Sequence, residues 1–460
     1  MNIHFTGIKG MGMSSLAQIF KARGYNITGS DIEEEFPSDL PLKNAGIKVR
    51  PFSARNIKRK ISFVIYSTAY NPDSHPELIK AKKRGIKIQS YSEALADVFN
   101  RYEKRVLIAG THGKTTTTAL LGLAFEKAGL DPTVIVGGQV IEWQNNVRVG
   151  KSDIIIAEGD EYQEKFLTMK PNVLLITNVD YDHPDYFETK EKYEEAFRKI
   201  ILAVPRGGHI IAPISARNIT FTKHFITGQK IFLHSSATLV EYDSAENIPE
   251  IEKIYSEISD FRQLNGFLLS GNIENIYAAK QVLKLVGGEE YLEKEIERFK
   301  GIKRRCEIYF KNSDESIIII DDYAHHPTAV KNTLKMVKER YSEHEILVLF
   351  QPHTYSRTRG LMDEFVSSFK NADAVGILKT YSSQREIMNL SEDEYIELEL
   401  ASKINGVRKK KNAELLKNFS AAQEKVVAFL KNQPQAKKIV ITMGAGDVWK
   451  IARDASKSFS

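Results

Sequence analysis

The run Gly110-Thr111-His112-Gly113-Lys114-Thr115-Thr116-Thr117 carries the residue types that hold phosphate. An apolar stretch, Val106-Leu107-Ile108-Ala109, precedes it and reads as a buried parallel strand. After it, Ala119-Leu120-Leu121-Gly122-Leu123-Ala124 continues at helical spacing. A strand, a Gly-bounded turn and a helix set backbone N–H groups and a helix N-terminus against an anion. Lys114 adds a point charge, and the Thr115 hydroxyl can ligate Mg2+. The usual spacing wants Gly where Ile108 stands, so this is a short variant. The competing reading is a chance Gly-Lys-Thr at a helix start, and the flanking strand and helix argue against it.

Acidic residues follow the next strong strand. Asp153-Ile154-Ile155-Ile156-Ala157 ends in Glu158-Gly159-Asp160-Glu161. A carboxylate at the C-terminal end of a buried strand is where a nucleotide-binding sheet holds Mg2+ or a water. A second polar cluster, Asn178-Val179-Asp180-Tyr181-Asp182-His183, follows the strand Val173-Leu174-Leu175-Ile176-Thr177. Either cluster alone reads equally well as solvated loop; two of them after buried strands favour a site.

Basic groups follow strands later in the chain. Ile317-Ile318-Ile319-Ile320 runs into Asp321-Asp322-Tyr323-Ala324-His325-His326-Pro327. Ile346-Leu347-Val348-Leu349-Phe350 runs into Gln351-Pro352-His353-Thr354-Tyr355-Ser356-Arg357-Thr358-Arg359. Convergent basic groups at the ends of two strands expected to be adjacent suit carboxylate or phosphate binding. A late strand, Lys438-Ile439-Val440-Ile441-Thr442, meets Met443-Gly444-Ala445-Gly446-Asp447.

The N-terminus offers a Gly-rich turn. Residues 2–6 read as a strand, and Gly7-Ile8-Lys9-Gly10-Met11-Gly12-Met13-Ser14 turns into a helix. A second strand, Tyr25-Asn26-Ile27-Thr28-Gly29, ends at Ser30-Asp31. That is a Rossmann-like opening, but Lys9 stands where the dinucleotide fingerprint wants Gly. The turn still admits a diphosphate, with Lys9 adding charge; a purely structural turn is the alternative.

These groups need a scaffold, and the sequence specifies one. With 460 residues the chain has room for about three domains. Strands alternate with helices, as in Phe63-Val64-Ile65-Tyr66 before Ser67 and Ile86-Lys87-Ile88 after it, which implies parallel sheets. Asn100-Arg101-Tyr102-Glu103-Lys104 reads as a polar linker. The expected class is α/β with three domains at 1–103, 104–300 and 301–460. The first and last are Rossmann-like, and the middle one is a P-loop domain with a mainly parallel sheet. Residues 220–265 are less periodic, and Gly271 to Ala279 reads as a helix start with Asn272 and Asn275 in its first turn.

Composition excludes other classes. No apolar run approaches a membrane span, and the N-terminus has no signal-peptide pattern. A single Cys306 rules out an internal disulfide framework and fits a reducing cytosol. The net charge, 65 − 59 = +6, is mild. Arg408-Lys409-Lys410-Lys411 lacks interleaved aromatics, so it reads as a solvated face and no nucleic-acid partner is expected.

On these residues the sequence resembles the Mur ligases, ATP-dependent amino-acid ligases of peptidoglycan precursor synthesis. The resemblance runs through nearly the whole chain. Its motifs are Gly7 to Ser14, Gly110 to Thr117, Asp321 to Pro327, Phe350 to Arg359 and Met443 to Asp447. Gly159 and Gly271 stand where the family usually has Ala and His. The Gln351-Pro352-His353 segment leans towards the alanine-adding branch over the murein-tripeptide recycling branch.

The resemblance implies a cytoplasmic enzyme, monomer or homodimer, using ATP with Mg2+ (Mn2+ possible). Its substrates would be UDP-N-acetylmuramate and L-alanine, joined through an acyl phosphate. Gly110, Thr111, His112, Gly113, Lys114, Thr115 and Thr116 would hold the phosphates. Asn275, Arg305 and Asp322 would contact ATP. Thr115, Glu158 and His183 would hold metal. Lys114, Glu158, His183, Arg305 and Asp322 would carry the chemistry. Gly10, Gly12, Ser14, Asp31 and Ser67 would face the UDP-sugar, and Tyr323, His325, His353 and Arg357 the amino acid. The rivals are another ligase of the superfamily, a nicotinamide oxidoreductase built on the N-terminal turn, and a non-catalytic nucleotide-binding regulator.

Overall fold

The computed structural model describes residues 1–213, 238–242, 273–381, 395–407 and 412–458. Most of the 220–265 stretch, the Gly271-Asn272 helix start and the Arg408–Lys411 run lie outside them. The chain divides into two compact units. The first takes in Met1–Tyr181, Lys190–Leu264 and Asn272–Ile302; the second takes in Asp182–Thr189, Asn265–Gly271 and Lys303–Ser460.

The first unit carries two sheets. Strands β1 (Asn2–Thr6), β2 (Asn26–Asp31), β3 (Val49–Pro51), β4 (Phe63–Tyr66) and β5 (Lys87–Ser90) form a parallel sheet ordered β3-β2-β1-β4-β5. The order reverses at β1, so the crevice where such sheets bind ligands opens at its C-terminal end, where the Gly7–Ser14 turn sits. Beside it is a buried polar knot. Glu77 is fully buried and accepts from the Thr6 hydroxyl at 2.8 Å, Ser30 Oγ at 2.6 Å, Ser53 N–H at 3.1 Å and Asn56 Nδ2 at 2.8 Å. The His4 ring lies 3.3 Å from the same carboxylate.

The second sheet is ordered β12-β11-β10-β6-β9-β7-β8. Its strands are β6 (Lys104–Ala109), β7 (Thr133–Val140), β8 (Asn145–Arg148), β9 (Ile154–Glu158), β10 (Val173–Ile176), β11 (His209–Pro213) and β12 (Thr238–Tyr242). All pairs are parallel except the β7–β8 edge. Ile155, Ile156 and Ala157 are wholly buried, which is why β9 shows no alternation: a central parallel strand is covered on both faces. Lys104, read as linker, already belongs to β6.

Side-chain amides join the two sheets. Gln18, on the helix Met11–Ala22, and Asn145 on β8 donate to each other's carbonyl oxygens at 3.2 and 2.7 Å. Asn146 Nδ2 donates to the Met11 carbonyl at 2.8 Å. The helix that follows the Gly-rich turn is thereby fixed to the edge of the middle sheet.

The second unit carries one sheet, ordered β13-β14-β18-β15-β16-β17. Its strands are β13 (Glu307–Lys311), β14 (Ile317–Asp322), β15 (Glu345–Phe350), β16 (Ala374–Ile377), β17 (Ala413–Leu415) and β18 (Lys438–Met443). Only β13 runs antiparallel. The strands before the two basic segments, β14 and β15, were expected side by side; β18 lies between them, and its Gly444–Asp447 turn shares their edge.

Candidate active site

The phosphate loop starts at Gly110, whose φ of +132° and lack of room both demand glycine. A Cβ there would lie 2.1 Å from Thr177 Oγ1. Gly113, at φ +80°, opens the helix Lys114–Lys127. Residues after β10 brace the loop. Asn178 accepts from His112 N–H and donates to the His112 carbonyl, both at 2.9 Å. The Thr111 hydroxyl donates to the Asp180 carbonyl at 2.7 Å, and the His112 ring meets Asp180 Oδ2 at 3.2 Å. The cluster read as one unit at 178–183 therefore splits. Asn178 and Asp180 hold the loop, while Asp182 and His183 belong to the second unit.

The end of β9 and the turn after it bring two carboxylates to the loop. The Thr115 hydroxyl donates to Glu158 Oε2 at 3.1 Å, and Gly137 N–H donates to Glu158 Oε1 at 2.5 Å. Gly137 must be small, because a Cβ would lie 2.7 Å from that carboxylate. Lys114 Nζ sits 2.8 and 3.1 Å from the oxygens of Glu161 and also donates to the carbonyls of Gly110 and Thr111. Thr115 and Glu158, expected together, are together. Glu161 was noticed in the sequence only as part of an acidic run. Asn275, also in this unit, is buried on the helix Ile273–Lys284.

At the first sheet's crevice, Asp31 ends β2 and accepts from Lys9 N–H at 2.6 Å and Ile32 N–H at 2.8 Å. Burial pushes its carboxyl above the ordinary range. Asp31 thus shapes the turn through its backbone. Lys9, expected to add charge for a diphosphate, instead donates to the Glu34 carbonyl at 2.7 Å and pairs with Asp39 at 3.3 Å. Gly10 and Gly12 are partly exposed at the helix start, whereas Ser14 is buried, its Oγ accepting from Gln18 at 3.2 Å. Ser67 follows β4, its Oγ accepting from Ala69 N–H at 3.3 Å. No motif points to Tyr91, whose hydroxyl lies 2.2 Å from where a Gly12 Cβ would stand. Glu158 and Asp160 are close enough to act on that phenol's charge.

The second unit gathers the basic segments, though not as a cluster of cations. Burial and the neighbouring Arg357 hold His353 down to about 3 and His325 well below the ordinary imidazole range, so both rings are neutral. Their centroids are 5.5 Å apart, and Tyr323 lies 5.3 Å from His325. Tyr381, another residue the sequence did not signal, stacks on His353 at 6.1 Å and 18°. Arg357 is buried and its charge has a partner. Its Nε donates to Asp182 Oδ1 at 2.8 Å, and its other nitrogens meet His353 Nδ1 at 2.9 Å and His183 Nδ1 at 3.3 Å. His183, at φ +58°, gives its N–H to Asp182 at 2.6 Å.

Asp322 is buried. It accepts from Thr333 at 2.7 Å, Cys306 Sγ at 3.0 Å and Ala324 N–H at 3.0 Å. The Arg305 guanidinium lies 4.8 Å from the Tyr323 ring centroid. Its neighbour Arg304, at φ +62°, donates to the Gly444 and Ala445 carbonyls at 2.6 and 3.3 Å and pairs with Asp321 at 3.3 Å.

Three family models match this chain in sequence order. They are the Mur ligase family catalytic domain at 2–103, the Mur ligase middle domain at 108–260 and the Mur ligase glutamate ligase domain at 304–446. This chain belongs to the Mur ligase family. This Mur ligase is 36% identical to the UDP-N-acetylmuramate--L-alanine ligase of Borreliella burgdorferi, over 97% of this chain and 96% of that one. It is 34% identical to the protein of the same name from Desulfitobacterium hafniense, over 98% and 99%. Among solved structures it resembles the UDP-N-acetylmuramate-alanine ligase of Thermotoga maritima, with a TM-score of 0.73 at 23% identity over 100% of this chain and 99% of that one. The family makes it an ATP-dependent amino-acid ligase of peptidoglycan precursor synthesis, with the three-domain α/β architecture expected from sequence. Among the described residues, no helix is long and apolar enough to cross a membrane.

Proposed function

We propose that this Mur ligase joins L-alanine to the carboxylate of UDP-N-acetylmuramate, in the cytoplasm, at the expense of ATP. The observation that carries the reading is the loop in which Lys114 and Thr115, adjacent in sequence, meet the carboxylates of Glu161 and Glu158. The names of the full-length relatives support the choice of substrates.

A carboxylate is a poor acyl donor, so the γ-phosphate of ATP first converts it to an acyl phosphate. The alanine amine attacks, and phosphate leaves from the tetrahedral intermediate. Phosphoryl transfer depends on charge neutralisation and in-line positioning more than on protein nucleophiles. The amides of Gly110 to Gly113 and of Thr116, with Lys114, hold the β- and γ-phosphates. The oxygens of Thr115 and Glu158, 3.1 Å apart, would suit a hard cation such as Mg2+, and the family resemblance is what adds His183 as a further ligand. Thr115 and Glu158 would hold the Mg2+, which would supply neutralisation of the charge developing on the phosphoryl oxygens. Asn275, Arg305 and Asp322 serve the nucleotide, Asp322 acting from its buried position by ordering the turn 322–326.

The first domain, 1–103, takes the UDP-sugar over Gly10 and Gly12, with Ser14, Asp31 and Ser67 shaping the crevice. The middle domain, 104–300, takes ATP. The last, 301–460, takes the amino acid beside Tyr323, His325, His353 and Arg357. Phosphate release measured across a panel of UDP-sugars and amino acids tests the whole reading. Release that requires both UDP-N-acetylmuramate and L-alanine is expected. Release with a tripeptide in place of alanine points to the recycling branch, and release that needs neither substrate overturns the ligase assignment.

A further inference from the structure

Lys114 Nζ has three N–H bonds and four acceptors around it: the Gly110 and Thr111 carbonyls and both oxygens of Glu161. The lysine side chain is 17% exposed and the glutamate 4%, so water does little to screen the pair. A phosphate arriving in the loop therefore has to take an N–H from an existing partner. The ammonium is drawn more strongly to the carboxylate, which carries a full opposite charge, than to a neutral carbonyl dipole. The loop carbonyls give way and Glu161 stays.

The turn geometry keeps Glu161 in place. It precedes the short helix Tyr162–Thr168, and its carbonyl accepts from Glu164 N–H at 2.9 Å. Gln163 and Glu164 take left-handed φ values of +56° and +55°. Asp160 is tied to Lys165 at 2.8 Å, and Gly159 N–H to the Ile108 carbonyl at 2.8 Å. The backbone that carries the carboxylate is held by these contacts.

From this we infer that Glu161 is a positioning residue that acts through Lys114. Its fixed negative charge tempers the lysine's grip on the nucleotide phosphates, so that the loop releases ADP after each turnover. A neutral residue there leaves the ammonium charge to the phosphates alone. The inference rests on the reading of Lys114 as a phosphate holder.

The test is calorimetric binding of ADP with Mg2+ to the full chain, alongside steady-state kinetics and a melting curve for each variant. Glu161→Gln and Glu161→Ala remove the charge in different ways, and either one that folds decides the matter. Both are expected to bind ADP at least about fivefold more tightly, to lower the apparent KM for ATP, and to lower kcat if release limits turnover. Glu161→Asp, which keeps the charge, stays closer to the parent. In a Lys114→Ala background, Glu161→Gln changes ADP affinity by less than about twofold. Unchanged or weaker ADP binding in folded Glu161→Gln or Glu161→Ala overturns the inference. Lys114→Ala with undiminished ADP affinity overturns instead the placing of the lysine on the phosphates.

Discussion

Arg357 and Asp182 form a buried ion pair, guanidinium Nε to carboxylate oxygen at 2.8 Å, with side chains only 3% and 6% exposed. Burial alone would raise the Asp182 carboxyl; the Arg357 guanidinium and the His183 ring hold it well below the carboxylate range. A substrate carboxylate reaching Arg357 has to share a guanidinium whose Nε side is already taken. The end of the site proposed for the amino acid is thus built on a pair, where the sequence suggested convergent basic groups.

Removing one charge of such a pair is costly because the other stays buried. Asp182→Asn is expected to destabilise the fold by about 3–5 kcal/mol. Urea melts at neutral pH measure it; a loss under about 1 kcal/mol would mean the pair is worth no more than a surface bridge.

Arg357→Lys keeps the charge but loses the planar fork that meets Asp182, His353 and His183 together. The apparent KM for L-alanine should rise far more than those for ATP and the UDP-sugar. Should the sugar's constant alone move, Arg357 does not serve the amino acid.

Lys114→Ala should cut ATP-dependent turnover by at least about 10²-fold in a chain that still folds, with some loss of stability because the buried Glu161 loses its charge partner. Turnover close to the parent's, in a folded variant, would remove the loop from the chemistry.

Gly12→Ala puts a methyl within 2.2 Å of the Tyr91 hydroxyl and 2.3 Å of Cζ. Overpacking of this kind costs about 1–3 kcal/mol, and a shifted phenol would spoil the crevice. Weaker UDP-sugar binding is expected, with partial recovery in Gly12→Ala/Tyr91→Ala. Tyr91→Phe should not rescue it, because the ring carbons clash as well.

Glu77 supplies an acid limb to the stability profile. Burial pushes its carboxyl up, but the His4 ring and the Ser30 and Asn56 donors win and hold it at about 2, against 4.5 ordinarily. A depressed carboxyl stabilises the fold above its unfolded value and loses that contribution as pH falls through its folded value. Roughly 3 kcal/mol should therefore disappear between pH 4.5 and 2. Glu77→Gln should be less stable at neutral pH and flatter over that window; an identical slope would assign the limb to other groups.

The scaffold could be read from sequence because its signals are local. Val106 to Ala109, the glycines at 110 and 113 and the helix after Lys114 lie within one short window, and strand, turn and helix each follow from their own residues. Glu158 could be read for the same reason, as an acid at the end of an apolar run. What escaped depends on distance and burial. Nothing near His353 or His325 in sequence announces that their rings are neutral, since that follows from dry surroundings and a guanidinium. Tyr91 meets Gly12 from a different helix, and Lys9 is drawn aside by Glu34 and Asp39. The residues 178–183 look continuous, but the division between the two units falls between Tyr181 and Asp182.

Asp182 and Arg357 are 175 positions apart in the chain. A ribosome adding roughly 5–20 residues per second brings out the arginine on the order of 10–35 s after the aspartate. For that interval the carboxylate remains in water at its ordinary pKa, and His183 lacks the Arg357 guanidinium that meets its ring. Residues 182–189 must wait for the last third of the message, which carries the rest of their unit. The Asp182–Arg357 pair, at the end proposed for the amino acid, is therefore completed late in translation, and a chain released early would keep residues 110–117 while lacking that pair entirely.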